Sequence, residues 1–165
     1  MNEETKAKIR KYKKNLVITG NGFMAIMVWS LVKFAIRIIE EGGFGKLIGE
    51  GNSTFYEVMF YAALLAFFVG TSLLHLYIGI SAKRYGNDRS RHWGFLVAAG
   101  LYAGFTVFEF PSLIDECLKA FLSDDPFSAG DTSVAAILME LTILFILFDM
   151  ISSALLLRKE ENKLS

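Results

Sequence analysis

Six ionisable side chains stand inside apolar runs of this chain: Lys33, Arg37, His75, Glu109, Glu140 and Asp149. In hydrocarbon a charged group costs roughly 3 kcal/mol or more, so each needs a partner, a wet space or a change of protonation. Lys33 and Arg37 share one helical stripe with Ile26, Ser30 and Glu40. One turn apart, two cations repel unless acids lie between them. Glu40 or Glu41 can answer Arg37 locally, which leaves Lys33 for Glu109 or Glu140 across a bundle. The expectation is a buried charged layer of Lys33, Arg37, Glu109 and Glu140. The competing reading lets the cations snorkel to headgroups while the glutamates reach water or take up a proton. With two acids for one lysine, proton- or cation-linked chemistry is what such a layer would do.

His75 and Asp149 make a second, inner polar group and the one candidate acid–base pair. At helical spacing His75 shares a face with Glu57, Tyr61, Leu64, Phe68, Ser72 and Gly79, and in lipid such a stripe should turn toward protein. Its plain reading is a hydrogen-bonded packing residue, its sharper one a proton carrier or haem ligand. Glu140 and Asp149 lie nine residues apart, about 900° around a helix, and therefore on opposite faces. One acid can point into a bundle. The other, grouped with Thr142, Ser152 and Ser153, must meet another subunit, a cavity or a different neighbour.

Other chemistries lack their residues. The single Cys117 rules out an intramolecular disulfide framework, a CxxC redox pair and a thiolate zinc site. Two histidines, His75 and His92, do not make a multi-histidine metal centre. Asp124, Asp125 and Asp131 lack the spacing of an EF-hand loop, and Ser-Asp-Asp-Pro reads as a turn. No metal and no cofactor are expected. A formal net charge of +0 offers no argument for nucleic acid as a partner. Asn52-Ser53-Thr54 fits the glycosylation acceptor pattern but is read as a chance match.

The elements that must position these groups are long apolar helices. Hydrophobic residues make up 53% of the chain and mean hydropathy is +0.42, a composition usual for a small membrane protein. Spans are predicted at 16–39, 55–80, 93–114 and 133–157, each near the ~20 residues a bilayer requires. The first is too long for a cleaved signal peptide and carries Lys33 where a small-residue cleavage site would stand. Residues 40–54, with five glycines, read as a loop. Residues 81–92 read as a short basic turn around Gly86-Asn87-Asp88. Residues 115–132 read as an outer segment with a short amphipathic piece at Leu113, Leu118, Phe121 and Leu122. Gly100 and Gly104, flanked by Ala99 and Ala103, form a GxxxG pair suited to close helix packing, either within the chain or against a second copy. Pro111 should kink the third helix or loosen its last turn.

Charge sets the orientation. The segment MNEETKAKIRKYKKN, the cations Lys83, Arg84, Arg89 and Arg91, and the pair Arg158-Lys159 assign these parts to the cytoplasm. The opposite segments carry Glu40, Glu41, Glu50, Asp115, Glu116, Asp124, Asp125 and Asp131 against Lys46 and Lys119. The expected fold is an all-α integral membrane protein: one membrane domain over 1–165, a four-helix up-down-up-down bundle with both termini cytoplasmic, in the plasma membrane.

Three function classes remain. The first-ranked is a non-catalytic accessory, regulatory or assembly subunit that meets a larger membrane protein, or a second copy, through the small-residue or Asp149 face. The alternative is a small transporter or channel-like protein whose charged layer handles an ion, proton or solute. An intramembrane enzyme ranks last: it wants a nucleophile–base pair or a metal set at matched depth, and His75 with Asp149 is the only candidate pair, which would need both in the inner half.

Overall fold

The computed structural model describes residues 3–40, 55–90, 92–122 and 126–163, and within these every element is helical. Four helices, each long and apolar enough to cross a membrane, follow in order: α1 (Glu3–Glu40), α2 (Phe55–Gly86), α3 (Gly94–Phe121) and α4 (Pro126–Asn162). Residues 41–54 of the loop expected over 40–54, with the Asn52-Ser53-Thr54 pattern, and Asp124 and Asp125 lie outside the described residues.

The helices outrun the apolar segments that predict them. α1 has 38 residues, about 57 Å at 1.5 Å per residue, against a hydrocarbon core of ~30 Å. Its polar first turns are held by Glu3 and Glu4 at the helix N-terminus, with Lys8 Nζ 2.6 Å from Glu4 Oε1, an order that suits both the helix dipole and the i,i+4 rule. The basic segment expected as a turn over 81–92 is helical as far as Gly86, because Lys83 and Arg84 occupy the last turn, where cations are favoured. The turn proper covers residues 87–90, with Asp88 in the left-handed region at φ 58°. Likewise α3 does not stop near residue 114. It runs through Pro111 to Phe121. One proline removes one backbone donor, and the following turns hold themselves: Lys119 Nζ lies 2.5 Å from Asp115 Oδ2, and the Leu122 amide donates to the Leu118 carbonyl at 3.1 Å. α4 opens on Pro126, at a position whose N–H would have no helical partner in any case. The expected outer segment 115–132 is thus mostly the ends of two helices.

Neighbouring helices run antiparallel. α1 and α2 approach most closely where Gly20 faces Gly79. A Cβ built on Gly20 would lie 2.7 Å from the Gly79 carbonyl oxygen, and one on Gly86 would lie 2.6 Å from the Lys13 carbonyl oxygen. Farther along, Phe34 stacks on Phe68 at 4.1 Å. α4 lies along α1, with Asn15 Nδ2 3.5 Å from Ser153 Oγ. It also pairs with α3, where Arg158 covers the Trp93 ring at 3.8 Å. Contacts between α2 and α3 are sparse and fall toward the chain termini, at Tyr85–Phe95 and His75–Tyr102.

The packing is therefore uneven along the bundle axis. The fully buried side chains Leu16, Phe23, Ile78, Phe95, Leu147, Met150 and Leu157 belong to the half nearer the termini. A polar cap closes that end: Lys13 Nζ reaches Asp88 Oδ1 at 2.6 Å and Glu161 Oε1 at 3.6 Å, tying α1 to the turn and to α4. Toward the other end α2 and α3 part. Large apolar side chains cover the outside, Phe108 being 84% exposed, as a surface facing hydrocarbon requires.

Candidate functional site

The half remote from the termini holds a cavity of about 390 Å³. Its floor is aromatic. Phe23 stacks on His75 at 4.6 Å, and Tyr102 meets the His75 ring edge-on at 4.8 Å. The Phe34–Phe68 stack belongs to its wall. All four helices bring polar groups to the lining: Ser30 and Lys33 from α1, Ser72 and His75 from α2, Tyr102 from α3 and Glu140 from α4. Next to it, a recess of about 240 Å³ is lined by Thr106, Glu109, Ser112 and Leu113 of α3 with Glu140 of α4. Glu140 and Leu113 border both spaces.

Local structure explains how these groups are held. His75 is buried, and its Nδ1 donates to the Thr71 carbonyl at 2.7 Å. With the proton on Nδ1, the neutral ring presents Nε2 as an acceptor. Thr71 spends its hydroxyl on the Phe67 carbonyl at 2.9 Å, and Thr106 on Tyr102 at 3.0 Å. Among the described residues no buried side-chain polar atom is left without a partner. Glu140 is half-buried, and Lys33 and Glu109 are exposed. Neither Lys33 nor Glu140 enters an ion pair among the described residues.

The residues expected to form a buried charged layer border two spaces, with Lys33 and Glu109 exposed. Lys33 and Glu140 share the large cavity, while Glu109 and Glu140 share the recess. The Arg37 backbone lies in α1, but its side chain is outside the described residues. The pairing of His75 with Asp149 does not occur. His75 turns inward against Phe23 and Tyr102, whereas Asp149 is exposed on α4 with Ser153 Oγ 3.4 Å from its Oδ1. The reason is rotational: Leu147, Met150 and Ala154 point α4 into the core, and the intervening position 149 faces away. Among the described residues nothing packs on Gly100 or Gly104, since a Cβ on either would meet no atom within 4 Å. The close approach belongs to Gly20 and Gly79 instead.

Ser72 lines the cavity from the His75 stripe, and Tyr102 is a cavity residue that composition alone does not mark. The available signal is periodic: Tyr102, Thr106 and Glu109 recur at i, i+4 and i+7 on an otherwise apolar α3. Cys117 is a buried free thiol. Among the described residues no three His, Cys, Asp or Glu side chains come together as metal ligands. The cavity brings one lysine, one glutamate, one imidazole and several hydroxyls to an otherwise apolar wall. Comparison of the chain with family models, curated proteins and solved structures returns no match.

Proposed function

We propose that the chain is a multi-pass protein of the plasma membrane, with both termini cytoplasmic and its helices alternating in direction across the bilayer, and that it handles a small polar solute or ion through the cavity between its helices. One observation carries this reading. Lys33, His75, Tyr102 and Glu140, one from each helix, line one space of about 390 Å³ in the less tightly packed half, within the ~300–1,000 Å³ typical of small-molecule sites. Ionisable groups kept inside membrane helices are costly and commonly line solute or proton paths. In this orientation the cavity lies toward the outer face and the packed half forms the cytoplasmic seal. Reconstitution into liposomes tests the proposal: uptake of a labelled panel of small polar solutes should exceed that of empty vesicles and fall about tenfold or more in Glu140→Gln. Flux equal to empty vesicles for the whole panel contradicts it.

A second reading, an accessory subunit or a homo-oligomer, draws on Asp149. That carboxylate is exposed in the middle of an apolar helix, where facing lipid costs roughly 3 kcal/mol. A second copy or a larger membrane protein covering α4 there would remove the cost. Loss of a stoichiometric partner, or of a self-associated species, in Asp149→Leu is the outcome that favours it.

A further inference from the structure

We infer that the occupant of the cavity is a small zwitterion: a molecule that carries a primary ammonium and an anionic oxygen group, with an apolar body attached. The inference rests on the reading of the cavity as a solute site and adds the class of solute. Lys33 brings a positive charge from α1 and Glu140 a carboxylate from α4 to the same cavity, and among the described residues they form no ion pair with each other or with another group. Lys33 is exposed and Glu140 half-buried at the edge of one shared space, so each charge is open to a ligand that enters it. A singly charged ligand answers one and leaves the other, while carrying net charge into the bundle. A zwitterion answers both and leaves the net charge unchanged.

The lining also gives the ligand a direction. Glu109 joins Glu140 at the recess beside the cavity, so the α3–α4 side carries two carboxylates and fits the ammonium. Ser30 lies one turn from Lys33 on the same stripe and lines the same cavity, which gives the anionic end a hydroxyl donor beside the ammonium of Lys33. The stacked rings of Phe34 and Phe68 line the cavity and fit an apolar or aromatic body. A free amino-acid-like solute and the ethanolamine headgroup of a phospholipid share this chemistry, and the experiment separates the two sources.

The test uses the full chain in phosphatidylcholine nanodiscs and calorimetric titration with L-phenylalanine, phenethylamine and 3-phenylpropionate, which share a body and differ in charge. L-phenylalanine should bind at least about tenfold more tightly than either analogue. Lys33→Met should bring it level with phenethylamine, Lys33→Arg should keep the preference, and Glu140→Gln should bring it level with 3-phenylpropionate. Nanodiscs containing phosphatidylethanolamine give the second arm. Stabilisation of the protein by that lipid, lost in Glu140→Gln, with weakened binding of L-phenylalanine, assigns the zwitterion to the headgroup. Unchanged binding of L-phenylalanine assigns it to a free solute. A singly charged analogue that binds as tightly as L-phenylalanine overturns the zwitterion class. If Ser72→Trp, which fills the cavity, abolishes that analogue's binding, the solute-site reading survives. No binding of any of the three, with no stabilisation by phosphatidylethanolamine, overturns both.

Discussion

Gly20 and Gly79 bring α1 and α2 into backbone contact: a Cβ on Gly79 would lie 2.9 Å from the Gly20 carbonyl oxygen and 2.6 Å from Met24 Cγ. Carbonyl oxygens of a helix cannot give way as a side-chain tip can, so a larger residue must push the helices apart. Gly20→Leu should lower stability by about 1–3 kcal/mol or more, measured by thermal unfolding in detergent. Gly100→Ala, with open space around it, should stay within about 0.5 kcal/mol of the parent. Equal losses at both positions would refute the assignment of the close approach.

Lys33 and Glu140 line one cavity, while Glu109 shares only the recess with Glu140. Mutational coupling should follow that geometry. A double-mutant cycle of Lys33→Met with Glu140→Gln should show an interaction of about 0.5–3 kcal/mol. The cycle of Lys33→Met with Glu109→Gln should show less. Purely additive losses in the first cycle would mean that the two charges do not sense each other.

Asp149 is exposed in the middle of the last helix. Removing its charge should relieve a cost of roughly 3 kcal/mol in a lone bundle, so the purified Asp149→Leu monomer should be at least as stable as the parent. If a protein surface covers Asp149 in the membrane, chemical crosslinking of native membranes should give an adduct that the variant loses. An identical crosslinking pattern in parent and variant argues against the subunit reading.

The proposed orientation has a direct check. In a Cys117→Ala background, Ser90→Cys should resist an impermeant thiol reagent in intact cells, and Ser53→Cys should react with it. The reverse pattern inverts the protein in the membrane and moves the cavity to the cytoplasmic face.

Much of this was readable from residue types. The four apolar runs lead to four helices, and counting residues at a fixed rise puts Lys33 and Glu140 at similar depth, where both line one cavity. Rotation about each helix axis was less legible. Asp149 and Glu140 were placed on opposite faces, yet the partner of neither followed, since partners depend on which face α4 turns to α1 and α3. Gly100 and Gly104 show the same limit: a GxxxG pattern states that close packing is allowed, not where the neighbour stands, and among the described residues no helix of this chain stands there. Gly20 and Gly79 carry no GxxxG pattern, since Gly22 on α1 and Gly70 and Gly86 on α2 stand at other spacings, and their meeting is a tertiary fact. The helix ends were misjudged where Lys83 and Arg84, or the Asp115–Lys119 pair, stabilise turns that polarity alone marks as loop.

The central claim is a water-accessible cavity with polar groups set in an apolar wall, inside the half of the bundle remote from the termini, and Ser72 tests it most directly. Ser72 lines the cavity, whereas its neighbour Leu73 is 60% exposed on the apolar outside. A thiol must ionise to react, and it ionises in water but not in hydrocarbon. With Cys117 replaced by alanine and the protein in lipid vesicles, Ser72→Cys should be modified by a small charged thiosulfonate on the order of 100-fold faster than Leu73→Cys, a gap of about 2.7 kcal/mol in barrier. Equally slow modification at both positions would mean that no wet cavity exists there, and the solute-handling account would fall with it.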